Sequence, residues 1–327
     1  MDNLTHSLVG ALLGQTGLKR KTGLAMPALI IGANLPDVDA ACLFWLDGVE
    51  HLGFRRGITH GPPALVLLPL ILAGLLYGFD RWQTKRGKRP EGRLPVHFGW
   101  LFALSFIGCL THPAMDWLNV YGVRFLEPFS SQWFYGDTLF IIDVWLWALM
   151  GFATWFSLRR EKKTGGDWRK PARIAIAASL AYIGLNAAFT AYLYDYETNS
   201  DPTRKNIVSP VPLQFWKREV LTEEASTLWN STDWNGSLTN RDSVNRACFG
   251  NCPGYPDAQV CSLSPVEEIA TSNSQVAAFL FWSRAPFAER AEDGSVLLRD
   301  ARFYDPLARD RFTVALPDVE CVELATP

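Results

Sequence analysis

The chain has 327 residues, of which 48% are apolar, 13% aromatic and 20% charged. This composition excludes a disordered protein, a coiled coil and a small disulfide scaffold, and a net charge of −2 does not support nucleic-acid binding. Residues 1–194 carry 19 Lys/Arg against 13 Asp/Glu, a net charge of +6, whereas residues 195–327 carry 12 against 20, a net charge of −8. We therefore expect two domains, residues 1–194 and residues 195–327, in two different environments.

The first half consists of apolar runs separated by basic clusters. Residues 4–18 predict a short helix that enters a membrane. Residues 24–46, which are interrupted by Pro, Asn and Asp, predict a broken helix that crosses it. Longer apolar runs follow at residues 62–79, 97–115, 139–158 and 172–194, each close to the length of a membrane-spanning helix. The sequence thus predicts a polytopic helical membrane domain over residues 1–194.

Lysine and arginine predict the orientation of this domain. Basic residues cluster at positions 19–21, 81–93 and 159–170, in alternate connections between the apolar segments. Cytoplasmic loops carry such an excess of positive charge, so these three loops are predicted to be cytoplasmic. The last span then ends outside, which makes the acidic residues 195–327 an extracytoplasmic domain.

The second half is predicted to be smaller and rich in β-structure. Residues 276–283, 295–304 and 311–319 have the composition or alternation of strands, with turn residues between them. Four cysteines in this half fit two disulfides of undetermined connectivity outside the cytosol: Cys248, Cys252, Cys261 and Cys321. A zinc site made from these four is the weaker alternative, because their spacing is unusual and this half has no histidine. Cys42 and Cys109 lie in apolar segments and are predicted to be buried.

Ionisable side chains inside apolar segments are costly and therefore mark functional sites. Four polar groups of this kind occur in the first half, at residues 2–6, 34–39, 56–60 and 111–116. With a helical rise of about 1.5 Å per residue, each group lies roughly 20 to 30 Å from the basic, cytoplasmic end of its segment. We therefore expect these groups to meet near the outer side of the bilayer. Imidazole and carboxylate ligands without cysteine suit zinc, manganese or iron in a hydrolytic site.

The predicted metal ligands come from all four groups, and His112 and Asp116 share a helix face if the helix continues through Pro113. The ligand set is His6, Asp37, Asp39, His60, His112 and Asp116. Asp143 is expected to orient a ligand histidine or to pair with Arg56 or Arg124. His51 and His97 are interpreted as loop or boundary residues.

These segments resemble a known family. MDNLTHSLVGALLG, NLPDVD, RRGITHG, LTHPAMDWLNVYGVRFLEPFS and GDTLFIIDVW are similar to motifs of the YdjM-like family of predicted membrane-bound metal-dependent hydrolases. The resemblance covers about residues 1–150, and later segments such as SPVPLQFW resemble the outer domain of longer members. It implies a bacterial inner (plasma) membrane protein, with the six ligands above at the family's polar positions. The chain departs from the usual His-Arg-Gly start of the third motif, where it has Arg55, and it ends that motif with Gly61 in place of Ser.

The leading hypothesis is a hydrolase at the outer membrane–water boundary that acts on a lipid or lipid-linked substrate, such as a phosphoester. One or two divalent ions, zinc first, would activate water; Asp39 would accept its proton, and Arg56 or Arg124 would hold a phosphate oxygen. A transporter or ion-conducting protein would use the same intramembrane residues to bind ions or relay protons. A non-catalytic membrane anchor whose outer domain binds a partner is the third possibility.

Overall fold

A computed structural model describes residues 1–164, 167–225, 228–234, 245–249, 260–304 and 309–322. The chain divides into two compact units, the first made of Met1–Asp39 and Arg56–Ala187 and the second of Ala40–Arg55 and Ala188–Pro327. The predicted fold class is confirmed, because a mostly helical region with apolar helices precedes a smaller region of β-sheet.

The first unit is helical and begins with α1, Asn3–Gln15, whose first turn is capped by Asp2. The Asp2 carboxylate accepts hydrogen bonds from the backbone N–H groups of Leu4 and Thr5 at 2.9 and 3.1 Å, as an N-cap residue does. Helix α2, Ala25–Gly32, is followed after a bend of 51° by a 3-10 helix, Leu35–Phe44. This break confirms the predicted interruption of the second segment. The remaining helices before the sheets are α3 (His51–Phe54), a 3-10 turn (Ile58–His60), α4 (Pro62–Lys85), α5 (Phe98–Trp117), α6 (Val144–Thr164) and α7 (Arg169–Ser200).

Three of these helices, α4, α5 and α7, are long and apolar enough to cross a membrane, and the bent pair would make a fourth span. The membrane span predicted at residues 139–158 differs from the structure in its starting point. Helix α6 begins only at Val144, because Asp143 caps it by accepting hydrogen bonds from the N–H groups of Trp145 and Leu146 at 3.0 and 2.9 Å. The apolar part of α6 is therefore shorter than the sequence run suggested.

Glycines allow α1, α2 and α5 to pack at backbone contact distance. A Cβ atom at Gly10 or at Gly108 would lie 2.7 or 2.6 Å from the carbonyl oxygen of Leu29 in α2. A Cβ atom at Gly32 would lie 2.7 Å from the carbonyl oxygen of Ser105 in α5. Any larger side chain at these positions would push the helices apart, so these glycines determine the distance of α2 from its two neighbours.

The second unit contains two four-stranded antiparallel sheets, in the orders β1-β2-β3-β4 and β5-β6-β7-β8. Their inner faces share an apolar core that includes Leu221 and Trp229 from the first sheet and Phe287 from the second. The strands are β1 (Asn206–Val211), β2 (Gln214–Ala225), β3 (Leu228–Trp234), β4 (Asn245–Phe249), β5 (Val260–Cys261), β6 (Pro286–Arg290), β7 (Val296–Asp300) and β8 (Thr313–Leu316). Two further helices, α8 (Ser264–Ile269) and α9 (Ser274–Trp282), lie between β5 and β6.

The strand predicted at residues 276–283 is wrong, since residues 276–282 belong to α9. Asn273 caps this helix by accepting hydrogen bonds from the N–H groups of Gln275 and Val276, both at 3.1 Å. A short apolar run does not distinguish a strand from a buried helix, and here the cap decides the outcome. The other two predicted strands are shorter than expected: β7 ends in a 3-10 turn, Ala301–Phe303, and β8 covers four residues.

The cysteine predictions are confirmed where the structure describes them. Cys261 and Cys321 form a disulfide, and both Cys42 and Cys109 are buried. Cys252 lies outside the described residues, and of Cys248 only the backbone, in β4, is described.

Candidate metal centre

The polar residues singled out by the sequence come from four different elements of the first unit. His6 lies in the first turns of α1, Asp37 lies in the 3-10 helix that follows α2, and His60 ends the short turn before α4. His112 and Asp116 lie on α5, which continues through Pro113, so the predicted i, i+4 pair does share one helix face. His6, His60, His112 and Asp116 are each fully buried.

The side chains converge on the carboxylate of Asp116. The Nε2 atoms of His60 and His112 lie 3.3 and 3.4 Å from its Oδ2, and Nε2 of His6 lies 3.4 Å from its Oδ1. On the other side of His112, Oδ1 of Asp37 is 3.7 Å from the same Nε2. The ligand atoms of Asp37, His60, His112 and Asp116 all lie within 4.8 Å of one another. The structure thus brings together residues that are up to 110 positions apart in the chain, from His6 to Asp116.

Hydrogen bonds at the far side of two imidazole rings determine which nitrogen faces this cluster. Nδ1 of His112 is 2.7 Å from the carbonyl oxygen of Ala33, which can only accept, so Nδ1 carries the proton. Nδ1 of His60 is 3.0 Å from Oγ1 of Thr59, whose hydroxyl donates to Oδ2 of Asp39 at 3.1 Å. Partners of this kind orient metal-binding histidines. Both Nε2 atoms are left with lone pairs directed at the centre.

Arg56 also contacts the carboxylate of Asp116. Its Nε is 3.2 Å from Oδ2 of Asp116, and Nη1 donates to Oδ1 of Asn119 and to the carbonyl oxygen of Gly122 at 3.1 and 3.2 Å. The guanidinium lies over the ring of Tyr121, with its carbon 4.3 Å from the ring centroid. These contacts fix the carboxylate in one orientation and supply positive charge beside it.

His6 completes the cluster by packing on His112. The two imidazole rings are stacked, with centroids 3.8 Å apart and an angle of 17° between the planes. The rings of His60 and His112 meet edge to face at 5.0 Å. The α-amino group of Met1 also contacts Oδ1 of Asp116. The three imidazoles therefore form one rigid group around a single carboxylate.

The arrangement fits a bound metal ion. The Nε2 atoms of the three histidines are buried and have no hydrogen-bond partner among the described residues, and they lie 3.3 to 3.4 Å from the carboxylate oxygens of Asp116, a spacing at which these donors can share a bound cation. Ligand atoms bound tetrahedrally at about 2.1 Å lie about 3.4 Å apart. The spacing around Asp116 therefore matches a site for a small divalent ion made of nitrogen and oxygen donors.

Other predicted site residues lie at the edge of this cluster or away from it. Asp39 accepts hydrogen bonds from Thr59 and from the backbone N–H of Arg56 at 3.1 and 2.8 Å, and its Oδ2 is 3.7 Å from Nδ1 of His60. Nη1 of Arg124 donates to Oε1 of Glu127 at 3.0 Å.

Asp143 caps α6 and accepts a hydrogen bond from the hydroxyl of Tyr182 at 2.8 Å, in place of the predicted pairing with a site arginine or histidine. His97 is the residue before α5, and Nδ1 of His51 contacts the carbonyl oxygen of Gly48. Both histidines are thus boundary or loop residues, as interpreted from the sequence.

Sequence reasoning did not identify three groups that support the site. The backbone carbonyl of Ala33 could not be predicted from the sequence, because every residue has a carbonyl and only the tertiary packing places this one next to His112. Thr59 precedes His60, and Asn119 lies one helical turn beyond Asp116, so local spacing could have indicated both.

The fold and the site together define a membrane protein with a buried His/Asp cluster that could hold a metal ion. Residues 1–193 match the family described as YdjM inner membrane protein, and the chain belongs to that family. The uncharacterized protein YfhP of Bacillus subtilis (strain 168) is 27% identical over 141 residues. That match covers 41% of this chain and 39% of the relative, so it spans less than half of either protein. No solved structure matches the chain.

Proposed function

We propose that this protein is a membrane-bound metal-dependent hydrolase. The observation that supports this proposal is the convergence of three imidazole Nε2 atoms on Asp116, buried and without hydrogen-bond partners, at distances of 3.3 to 3.4 Å. A nitrogen-rich ligand set with one or two carboxylates and no sulfur is typical of catalytic zinc sites. We therefore propose zinc as the ion, with manganese and iron as the alternatives to be distinguished by metal analysis.

His6, His60, His112 and Asp116 would hold the ion, with Asp37 beside them. A divalent cation at this position supplies a Lewis acid that lowers the pKa of water and polarises the bond to be broken. Asp37 is the least buried member of its group, with 10% of its side chain exposed against 0% for His112 and Asp116. Its carboxylate is therefore the one that entering water and substrate can approach.

Asp37 would accept the proton of the attacking water and return it to the leaving-group oxygen, which regenerates the carboxylate. This assignment replaces Asp39 as the proposed base. Asp39 accepts hydrogen bonds from Thr59 and from the backbone of Arg56. Its proposed role is therefore to orient His60 through Thr59. Arg56 contacts Asp116, Asn119 and Gly122. We therefore propose that Arg56 positions the ligand Asp116 and does not bind a phosphate of the substrate directly.

The substrate we propose is a lipid or lipid-linked ester, with a phosphoester as the leading case. His112 and Asp116 lie on α5, a helix long and apolar enough to span a membrane. A site carried by such a helix is within reach of the head-group region of the bilayer and of molecules dissolved in it.

We further propose a multi-pass protein of the bacterial inner membrane, with the loops at 19–21, 81–93 and 159–170 in the cytoplasm and the second unit outside. The Cys261–Cys321 disulfide supports this orientation, because disulfides persist outside the reducing cytosol. Alkaline phosphatase fused after residue 322 should be active, and a fusion within residues 86–92 should be inactive. The reverse pattern would refute the orientation.

His112 in α5 and His97, the residue before that helix, provide the test of the metal site. Gently purified wild-type protein should contain metal by mass spectrometry and should release water-soluble product from a total bacterial lipid extract in detergent. His112→Ala should lose most of both properties, because it removes a ligand atom from the centre. His97→Ala, the matched control at the other end of α5, should retain both.

Other outcomes distinguish the alternative functions. Wild-type protein that holds no metal would refute the proposal. Metal binding without turnover in detergent, combined with ion flux that requires sealed vesicles and is lost in His112→Ala, would indicate a transporter. Unchanged function in cells carrying His112→Ala would indicate an anchor whose outer domain binds a partner.

A further inference from the structure

A largely apolar cavity of about 190 Å³ lies between α1, α5, α6 and α7. Its walls include Val9 and Leu12 from α1, Ala114 from α5, Met150 from α6 and Ile183 from α7. Most of its lining is apolar, and the two polar residues in the wall are Thr111 and Ser179. An apolar cavity of roughly 150 Å³ already stays dry and accepts a benzene-sized ligand, so this one has room for a stretch of hydrocarbon.

Residues that line the cavity lie close in the chain to candidate metal ligands on two helices, α1 and α5. Val9 is three residues from His6 on α1, which is close to one helical turn, or about 5 Å. Ala114 on α5 lies between His112 and Asp116 in the chain, and it lines the cavity while those two side chains face the centre. A ligand that reached from the centre into the cavity would therefore have a polar end at the metal ligands and an apolar end between the helices.

Access to the cavity is from the apolar side of the helices. Ala114 is exposed, and Leu180, which also lines the cavity, is 64% exposed on α7, a helix apolar enough to lie in a membrane. The surroundings of such an opening are lipid chains.

We infer that this cavity binds one acyl chain of a membrane lipid whose head group lies at the metal centre. The inference rests on the proposed function for the position of the head group, and it narrows the substrate class to acyl lipids. The occupant is a hydrocarbon chain because ten of the twelve residues that line the cavity are apolar, and it belongs to a lipid because the cavity opens where the bilayer would be.

The experiment uses full-length protein in detergent micelles and a lysophosphatidylglycerol whose single acyl chain carries a photoreactive diazirine. After illumination, mass spectrometry should locate the label on residues that line the cavity, in α1 and α7. Ala114→Phe, which fills the cavity, should reduce this labelling at least fivefold. Leu185→Phe adds the same ring to a 73% exposed position of α7 that does not line the cavity, and it should leave the labelling unchanged.

Ile183→Phe fills the cavity from another wall and should reproduce the loss if Ala114→Phe fails to fold. Equal labelling of wild type and both filled variants, or labelling spread evenly over the exposed faces of the helices, would overturn the inference. Metal content is measured on the same samples. If the protein contains no metal but the labelling still depends on the cavity, the proposed hydrolase is refuted and the acyl site stands. If the protein contains metal but the labelling is uniform, the acyl site is refuted and the proposed hydrolase stands.

Discussion

Gly108→Ala tests whether the packing of α2 against α5 controls the metal centre. The added Cβ would lie 2.6 Å from the carbonyl oxygen of Leu29 and 3.0 Å from the backbone nitrogen of Ala33, whereas ordinary contact begins near 3.4 Å. The helices must therefore separate by about 0.8 Å, the difference between 3.4 and 2.6 Å, because backbone atoms cannot rotate away.

This separation acts directly on a ligand histidine. The hydrogen bond from Nδ1 of His112 to the carbonyl oxygen of Ala33 is 2.7 Å long and joins the same two helices. Lengthened to about 3.5 Å, it is no longer an effective hydrogen bond, and the imidazole loses the partner that orients Nε2. Loss of such a partner weakens metal binding by about 10- to 100-fold, or about 1.4 to 2.8 kcal/mol.

The assay is metal affinity by competition with a chelator of known strength, measured on folded protein in detergent. Gly74→Ala on α4 is the matched control, since a Cβ there meets no atom within 4 Å and gains the same helix propensity. Wild-type affinity in Gly108→Ala would refute the reasoning. Equal weakening in both variants would show that the effect does not come from the α2–α5 contact.

Two further predictions concern buried polar contacts. Thr59→Val removes the hydrogen bond between Thr59 and His60 and should lower metal affinity about tenfold. Thr84→Val on α4 removes a hydrogen bond away from the site and should leave the affinity unchanged. Equal metal affinities of the two variants would contradict the proposed orientation of His60. Burial raises the pKa of Asp300, whereas the neighbouring Arg302 guanidinium lowers it. The net result is a pKa below the usual value of an aspartate. Its contribution to stability is therefore present near neutral pH and is lost as the pH falls below about 4. Asp300→Asn should speed hydrogen exchange in β7 at pH 7 and reduce its acid sensitivity, and an unchanged pH profile would exclude this pair as the cause.

Some features of the site follow from local sequence. The break at residues 33–34 was predictable because Asn and Pro interrupt an apolar run, and the structure bends there by 51°. The pairing of His112 with Asp116 followed from i, i+4 spacing. Imidazole and carboxylate in apolar segments predicted a metal site because such groups are costly in a membrane unless they bind something.

Other features required the tertiary structure. Asp39 and Asp37 are two residues apart in similar surroundings, yet Asp37 faces His112 while Asp39 accepts hydrogen bonds from Thr59 and Arg56. Sequence spacing could not separate these roles, because the partners come from two different segments, one about 20 residues later for Asp39 and one 75 residues later for Asp37. The helix α9 was missed for a related reason, since an apolar run of eight residues fits a strand or a helix equally well.

The two differently charged halves, the apolar helices and the kinds of side chain in the candidate metal site could all be predicted from the sequence. These properties depend on composition and on the repeat of the helix, which are local. The tertiary structure was needed to show which of those side chains lie within ligand distance of one another and which residues orient them by hydrogen bonds. Contact between α2 and α5 depends on small residues such as Gly32 and Gly108 that carry no charge or periodic signal, and it places the Ala33 carbonyl on His112.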